Sequence, residues 1–353
     1  MQKTFQNLFF QVIMNLIGKT LDELYALTTQ YNMAKYVAKQ LSYWMYNAGA
    51  DSYEVMHNIS KANRGLLARD YEIKIKKPLE VRISTDGTRK YLFETENGNF
   101  VETAYIPDHQ RHTLCISSEA GCKMACSFCS TGEQGFQEKL STYDIVNQLN
   151  AIPERNLVTN IVFMGMGEPL DNIENVTKAI EIFSEEYGFK IGKKKITLST
   201  IGMLPQLTTF LRTCTCNVAI SLHSPFDDER SMLMPCNKTY PIGEVINVLR
   251  NHDWGKRSFP SFEYIMFDGI NDTDRHIKGI CKLLNGMRCL INLISYHNVP
   301  GQAFKASPTE RIIAFRDALS DKGFPTTIRS SRGFDIEAAC GLLSTKRMLE
   351  RLF

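Results

Sequence analysis

Three cysteines fall within eight residues, Cys122-Lys-Met-Ala-Cys126-Ser-Phe-Cys129, and this CxxxCxxC run is the strongest chemical signal in the sequence. Soft thiolates at such density select iron-sulfur clusters or zinc. Three of them suit a [4Fe-4S] cube with one iron left open. An open iron can chelate the amino and carboxylate groups of S-adenosylmethionine, a combination that is a source of radical chemistry. Structural zinc would want a fourth Cys or His at paired spacing, and none stands there. The second signal is Gly165-Met166-Gly167-Glu168-Pro169. Alone it is a plain loop; at the end of a strand, its glycines let the backbone approach a ligand closely. Cys214-x-Cys216 offers only two ligands, so Cys214, Cys216, Cys236, Cys281 and Cys289 are read as core or surface residues.

Such motifs need strand ends to hold them. Strand-like runs begin near Thr113, Asn160, Lys195, Asn217, Ser261 and Cys289, with helix starts near Ser141, Thr208, Ile242, Thr273 and Ser307 between them. Six such units predict an α/β fold of parallel strands with right-handed crossovers, an open, partial (β/α)6 barrel. Its working face lies where the strands end. The cysteine run follows the first strand and the Gly-Met-Gly segment the second. Upstream, Thr20 and Glu23 have capping-box spacing and residues 33–46 keep a helical period. The chain thus divides into a helical accessory domain (1–75), a β-rich connector with turns at Asp86-Gly87 and Asn97-Gly98 (76–107), the barrel (108–335) and a C-terminal segment (336–353).

At 353 residues, 43% hydrophobic and 22% charged, the composition is that of an ordinary globular chain. No apolar run approaches the roughly 20 residues of a membrane span, and MQKTFQNLFFQVIMNL lacks a signal-peptide cleavage pattern, so the expectation is a cytoplasmic protein with no membrane partner. In that compartment ten cysteines point to metal or catalysis, not to a disulfide framework. A net charge of +3 does not predict nucleic-acid binding. The short runs at Lys74, Lys76, Lys77 and at Lys193, Lys194, Lys195 read equally as solvated faces.

The cysteine spacing, with Phe128 before the last cysteine, resembles the radical S-adenosylmethionine superfamily. Within it, LCISSEAGCKMACSFCSTGEQGF, GMGEPLDN, TLSTIGMLP, AISLHSPFDDERSMLMPCNKTYP and RSSRGFDIEAACGLL together resemble the RNA adenosine methyltransferases of the RlmN and Cfr family. KQLSYWMYNAGADSYEVMHNISKANRGLL is similar to the accessory domain of RlmN, so the likeness spans about residues 35 to 345.

The resemblance implies Cys122, Cys126 and Cys129 as cluster ligands, and Gly167, Glu168, Ser199, Ser221, Leu222 and His223 as contacts of S-adenosylmethionine. The family's asparagine after the last barrel strand is replaced by His297, unless a one-residue slip uses Asn298. It further implies Cys340 as the methyl-accepting cysteine, Cys115 as its resolving partner and Glu102 as a proton acceptor. From the residues alone, Cys115 and Cys340 are packed thiols and Glu102 an exposed polar residue on an alternating strand.

The implied route consumes two molecules of S-adenosylmethionine per turnover. One methylates Cys340; the other yields a radical that activates that methyl for addition to adenine, and Cys115 then attacks the Cys340 sulfur to release the product and leave a disulfide. A low-potential donor such as a flavodoxin-type protein, a monomeric enzyme and an unstacked adenosine are implied with it. The RlmN pattern means C2 of adenosine 2503 in 23S rRNA and possible action at adenosine 37 of tRNAs; the Cfr pattern means C8. Arg329, Arg332 and Lys346 are candidate phosphate contacts. Two other readings are a zinc-held RNA-binding module and a radical enzyme acting on a different substrate.

Overall fold

A computed structural model describes residues 13–256, 258–297, 303–338 and 342–343. Ten strands form one open sheet: β1 (Glu80–Ile83), β2 (Arg89–Glu94), β3 (Phe100–Asp108), β4 (Arg111–Cys115), β5 (Asn160–Phe163), β6 (Ile196–Thr200), β7 (Asn217–Ser221), β8 (Ser261–Met266), β9 (Leu290–Ser295) and β10 (Thr326–Arg329). They lie side by side in chain order. From β1 to β4 neighbours are antiparallel, because tight turns at Asp86-Gly87, Asn97-Gly98 and His109-Gln110 reverse the chain. From β4 to β10 all neighbours are parallel and helices make the returns.

The six expected strands are thus present, and β10 adds a seventh parallel strand at the open edge. Its four half-exposed residues carry too little apolar pattern to be seen in the sequence. Helix starts at Thr142, Ile242, Asp274 and Thr309 match expectation. The helix expected near Thr208 begins at Leu204, since Pro205 fits within the first turn, where its missing N–H is no loss. The connector is part of the barrel sheet and carries its antiparallel edge.

The N-terminal region holds helices Leu21–Gln30, Tyr36–Ser42 and Lys61–Leu67, clipped by a short parallel pair, Met14–Asn15 with Tyr71–Glu72. The capping box is formed: Thr20 Oγ1 accepts from Glu23 N at 3.3 Å and Glu23 Oε2 from Thr20 N at 2.9 Å. The second helix continues as a π-helical stretch, Tyr43–Ala48, ended by Gly49 at φ +68°. The region seats on the barrel helices through Arg155, which donates to Tyr46 O at 2.7 Å, and through Asn147, which bonds both backbone groups of Lys76.

Candidate active site

Beyond the end of β4, Glu119–Ala120 pairs antiparallel with Glu138–Lys139 and closes the base of the cysteine loop. Gly121, at φ +73°, lies so near Gly135 that a Cβ would sit 1.7 Å from its carbonyl oxygen. Within the loop Ala125 takes a left-handed turn at φ +49°, Met124 N donates to Cys122 Sγ at 3.5 Å and Cys129 N to Cys126 O at 3.1 Å. Ser127 ties the loop across the barrel by two bonds to Leu233 O. Phe128 is buried edge-on to His223, with ring centroids 4.9 Å apart, and also packs on Phe267. That wedge anchors the loop to the ends of β7 and β8. Burial, with the neighbouring thiols adding to it, pushes the Cys122 and Cys126 thiols up.

The loop overlooks a cavity of about 910 Å3 lined by Cys122, Cys126, Cys129, Gly167, Glu168, Ser199, Ser221 and His223. Eight of the sequence-derived candidates therefore share one wall-to-wall space. Gly167 is held at φ +96° with the space of its missing Cβ filled by Glu119. Glu168 is buried and braced by Thr200 Oγ1 at 2.6 Å and by the N–H groups of Leu170 and Ile201 at 3.0 Å each. Burial raises its carboxyl to about 7, against the pull of those three donors. His223 sits at φ +55°, fixed by Asn271 Nδ2 donating to its carbonyl at 2.7 Å. Its Nδ1 accepts from Ile265 N at 3.1 Å, so the neutral ring carries its proton on Nε2. Burial, then the nearby Arg230 cation, pushes this imidazole down to about 3.

Leu222 does not line the cavity: its side chain lies in the core, and its backbone N donates to Glu263 O at 2.9 Å. His297 lines a neighbouring cavity of about 1050 Å3, bonded to Ser331 Oγ at 2.6 Å and packed at a tilt against the Phe334 ring. Asn298 lies outside the described residues. This second cavity also receives Cys115, and it shares Met164, Ile294, Arg329 and Leu343 with the first. Cys115 is buried with Ala104, Val162 and Ala338. Cys340 and Lys346 are outside the described residues, but Ala338 brings the C-terminal segment onto Cys115.

Glu102 is buried, not exposed as a lone alternating strand would place it, because the first six residues of β3 are covered on both faces. Its Oε1 lies 3.2 Å from Lys90 Nζ. Arg329 turns into the barrel and pairs with Glu263 at 3.5 Å, and Arg332 pairs with Asp108 at 3.1 Å.

The donor set fits the expected cofactors. Three thiols from one short loop, all opening on the same cavity, suit a cluster, which offers each of them its own iron.

Residues 116–284 match the Radical SAM superfamily and residues 14–73 the ribosomal RNA large subunit methyltransferase N-terminal domain. The chain is 46% identical over 332 residues to the probable dual-specificity RNA methyltransferase RlmN of Phocaeicola vulgatus, covering 94% of this chain and 95% of that protein. It is 40% identical to the dual-specificity RNA methyltransferase RlmN of Syntrophus aciditrophicus, covering 96% and 98%. The crystal structure of a radical SAM methyltransferase from Sphaerobacter thermophilus superimposes with a TM-score of 0.87 at 38% identity, over 94% of this chain and 99% of that one. The chain belongs to the RlmN family. Its cofactors are those of a radical SAM methyltransferase, a [4Fe-4S] cluster and S-adenosylmethionine.

In this RlmN-family chain, sequence reasoning missed Arg230, a fully buried cation. Its guanidinium donates to Leu222 O at 3.1 Å, Ser221 O at 2.8 Å, Ile201 O at 2.9 Å and Asn237 Oδ1 at 2.5 Å. It thereby locks together the ends of β6 and β7 and the loops that follow them, which place Ser199, Ser221 and His223 at the cavity. The charged, helix-compatible run DDERSML gave no sign of inward burial. Glu119 was missed too. It is buried, accepts from Glu168 N at 2.9 Å, and burial together with the Asp171 carboxylate raises it to about 8. Beside it stands Asp171, which Lys123 and Lys139 keep ionised.

Proposed function

We propose that this chain methylates C2 of adenosine in RNA through an S-methylated Cys340, with adenosine 2503 of 23S rRNA and adenosine 37 of tRNAs as substrates. One observation carries the reading: Cys115 packs on the C-terminal segment at Ala338, in a cavity that shares four wall residues with the one holding the three-cysteine loop. When bound, the cluster and S-adenosylmethionine supply a radical able to take hydrogen from a methyl group. Cys122, Cys126 and Cys129 would ligate the cluster. Gly167, Glu168, Ser199, Ser221 and His223 side chains or backbone, the Leu222 backbone and His297 would hold the cosubstrate.

Cys340 carries the methyl, Glu102 accepts the adenine ring proton, and Cys115 attacks the Cys340 sulfur. That attack forms a disulfide and breaks the bond from sulfur to the product carbon, which keeps the bond pair and takes up a proton to complete its methyl group; a reductant must then supply two electrons to reopen the disulfide. A flavodoxin-type donor, a monomeric state and a cytoplasmic setting belong to the same proposal. In support of the last, no helix among the described residues is long and apolar enough to cross a membrane. The RlmN naming of the relatives favours C2 over the Cfr-type C8 product.

The test is nucleoside mass spectrometry of rRNA and tRNA incubated with anaerobically reconstituted enzyme, alongside the mass of the tryptic peptide that contains Cys340. 2-Methyladenosine and one methyl on Cys340 are expected. 8-Methyladenosine would replace the C2 reading, and a loaded cluster with Cys340 unmodified would overturn the methyl-carrier role.

A further inference from the structure

A single row of paired residues crosses four strands: Lys90 on β2 faces Ala104 on β3, Ala104 faces Cys115 on β4, and Cys115 faces Val162 on β5. Residues opposite one another across a sheet project to the same face, and so does the diagonal neighbour two residues away, here Glu102. Ala338 rests on the Ala104, Cys115 and Val162 part of this row. Lys90 stands at its end, buried, with Nζ 3.2 Å from Glu102 Oε1 and donating to Glu337 O at 3.3 Å.

The hairpin turn preceding Lys90 grips the same segment. Ser84 Oγ donates to Asp335 Oδ1 at 2.5 Å, Thr85 N donates to Asp335 Oδ2 at 3.1 Å, and Asp86 Oδ2 accepts from Gly333 N at 2.9 Å. Gly333 is left-handed and so close to Thr88 that a Cβ would meet it at 2.8 Å. Glu337 is also left-handed, at φ +56°, an unfavourable state for glutamate that needs outside support. Its carbonyl is the one Lys90 holds.

Resting on the function proposed above, we infer that Lys90 is a positioning residue for methyl transfer. Its ammonium clasps the proton-accepting carboxylate of Glu102 and the backbone that leads to Cys340, and so sets their mutual register over Cys115. A buried ammonium is the counter-charge a buried carboxylate requires, and only a long, flexible cation reaches both groups at once.

The experiment compares wild type, K90M and K90R as full-length reconstituted enzymes, and first as cluster-free chains by hydrogen exchange. In the cluster-free chains, K90M should speed exchange at Ile336, Glu337 and Ala338, whose amides are bonded within the segment, while the barrel strands stay protected. In the loaded enzymes, K90M should still form 5′-deoxyadenosine but yield roughly tenfold less methylated adenosine per cleavage, as a small misplacement of reacting groups does. A covalent protein–RNA adduct should accumulate on denaturing gels, which general loosening would not produce. K90R should recover part of the coupling.

D335N, which loosens the second grip without touching Lys90, should lower coupling in the same direction and keeps the inference testable if K90M does not fold. Coupling within twofold of wild type in K90M, or in D335N where K90M is insoluble, overturns it. A wild-type enzyme that methylates no adenosine overturns the functional reading and this inference together.

Discussion

Two buried titrating side chains flank the cofactor cavity and answer pH in opposite directions. Glu119, raised to about 8, binds a proton in the fold that the unfolded chain has released. Its contribution is full below the ordinary glutamate range and is lost as pH rises through about 8. Glu119→Gln imitates the protonated acid, so the melting temperature of the cluster-free variant should stay flatter than wild type between about pH 5 and about pH 8. Parallel curves would mean that Glu119 is ionised. His223, depressed to about 3, is neutral in the fold. Its contribution is present above the ordinary histidine value near 6.5 and falls as pH drops towards 3, because the unfolded ring gains a proton that the folded one refuses. His223→Asn keeps an acceptor for Ile265 N without a titrating ring. Acid unfolding of the variant should show less loss than wild type between about pH 6.5 and about pH 4, read by far-ultraviolet circular dichroism. Equal acid slopes would place the charge elsewhere.

At the scale of elements, the catalytic loops owe their shape to groups that sit behind them. Arg230 satisfies five acceptors on three stretches of chain, Tyr240 O at 3.5 Å among them, so Arg230→Met leaves buried carbonyls unpaired and should cost about 3–5 kcal/mol; Arg230→Lys, lacking the fork, should recover less than half. Urea midpoints of the cluster-free chains measure this, and a loss below about 1 kcal/mol would remove Arg230 from the role. Gly167→Ala places a Cβ 2.5 Å from that of Glu119 at φ +96°. It should weaken S-adenosylmethionine binding by at least about tenfold, measured by isothermal titration of the loaded enzyme. The same contrast explains what could be read beforehand. Cys122, Cys126, Cys129 and Gly167 are local signatures, set by a spacing or a turn, and six strands declared themselves by apolar runs. Arg230, Glu119 and Lys90 act through partners 7 to 247 residues away in the chain, and β10 is stabilised by β9 more than by its own pattern. Nothing in one sequence marks a charge as buried until the fold supplies the other side.

Across the molecule, most buried apolar side chains among the described residues belong to one continuous core that runs from Leu16 in the N-terminal region through the barrel to Leu319 and Leu343, with the small cluster around Cys115 apart from it. The seam is made by specific pairs. Tyr46 lies against Tyr187 and Phe189, its hydroxyl donates to Lys19 O at 2.7 Å, and Arg155 reaches from the barrel to Tyr46 O while stacking over Phe189. The guanidinium also fills the space beside Gly49, where a Cβ would sit 1.9 Å from Nη1, so the π-helical stretch ends against this side chain. Chains of this size often unfold in stages, but a shared core gives neither part an intermediate without exposing the other's apolar face. Calorimetry of the cluster-free wild type should therefore show one endotherm with calorimetric and van't Hoff enthalpies in agreement. Arg155→Ala removes the bond to Tyr46 O and opens a void at Gly49, a loss of about 1–3 kcal/mol, and should pull a low-temperature shoulder out of that peak as the N-terminal helices release first. A wild-type trace already split in two would mean that the seam is weaker than its buried contacts imply, and that the helical region is carried by the barrel without being part of its core.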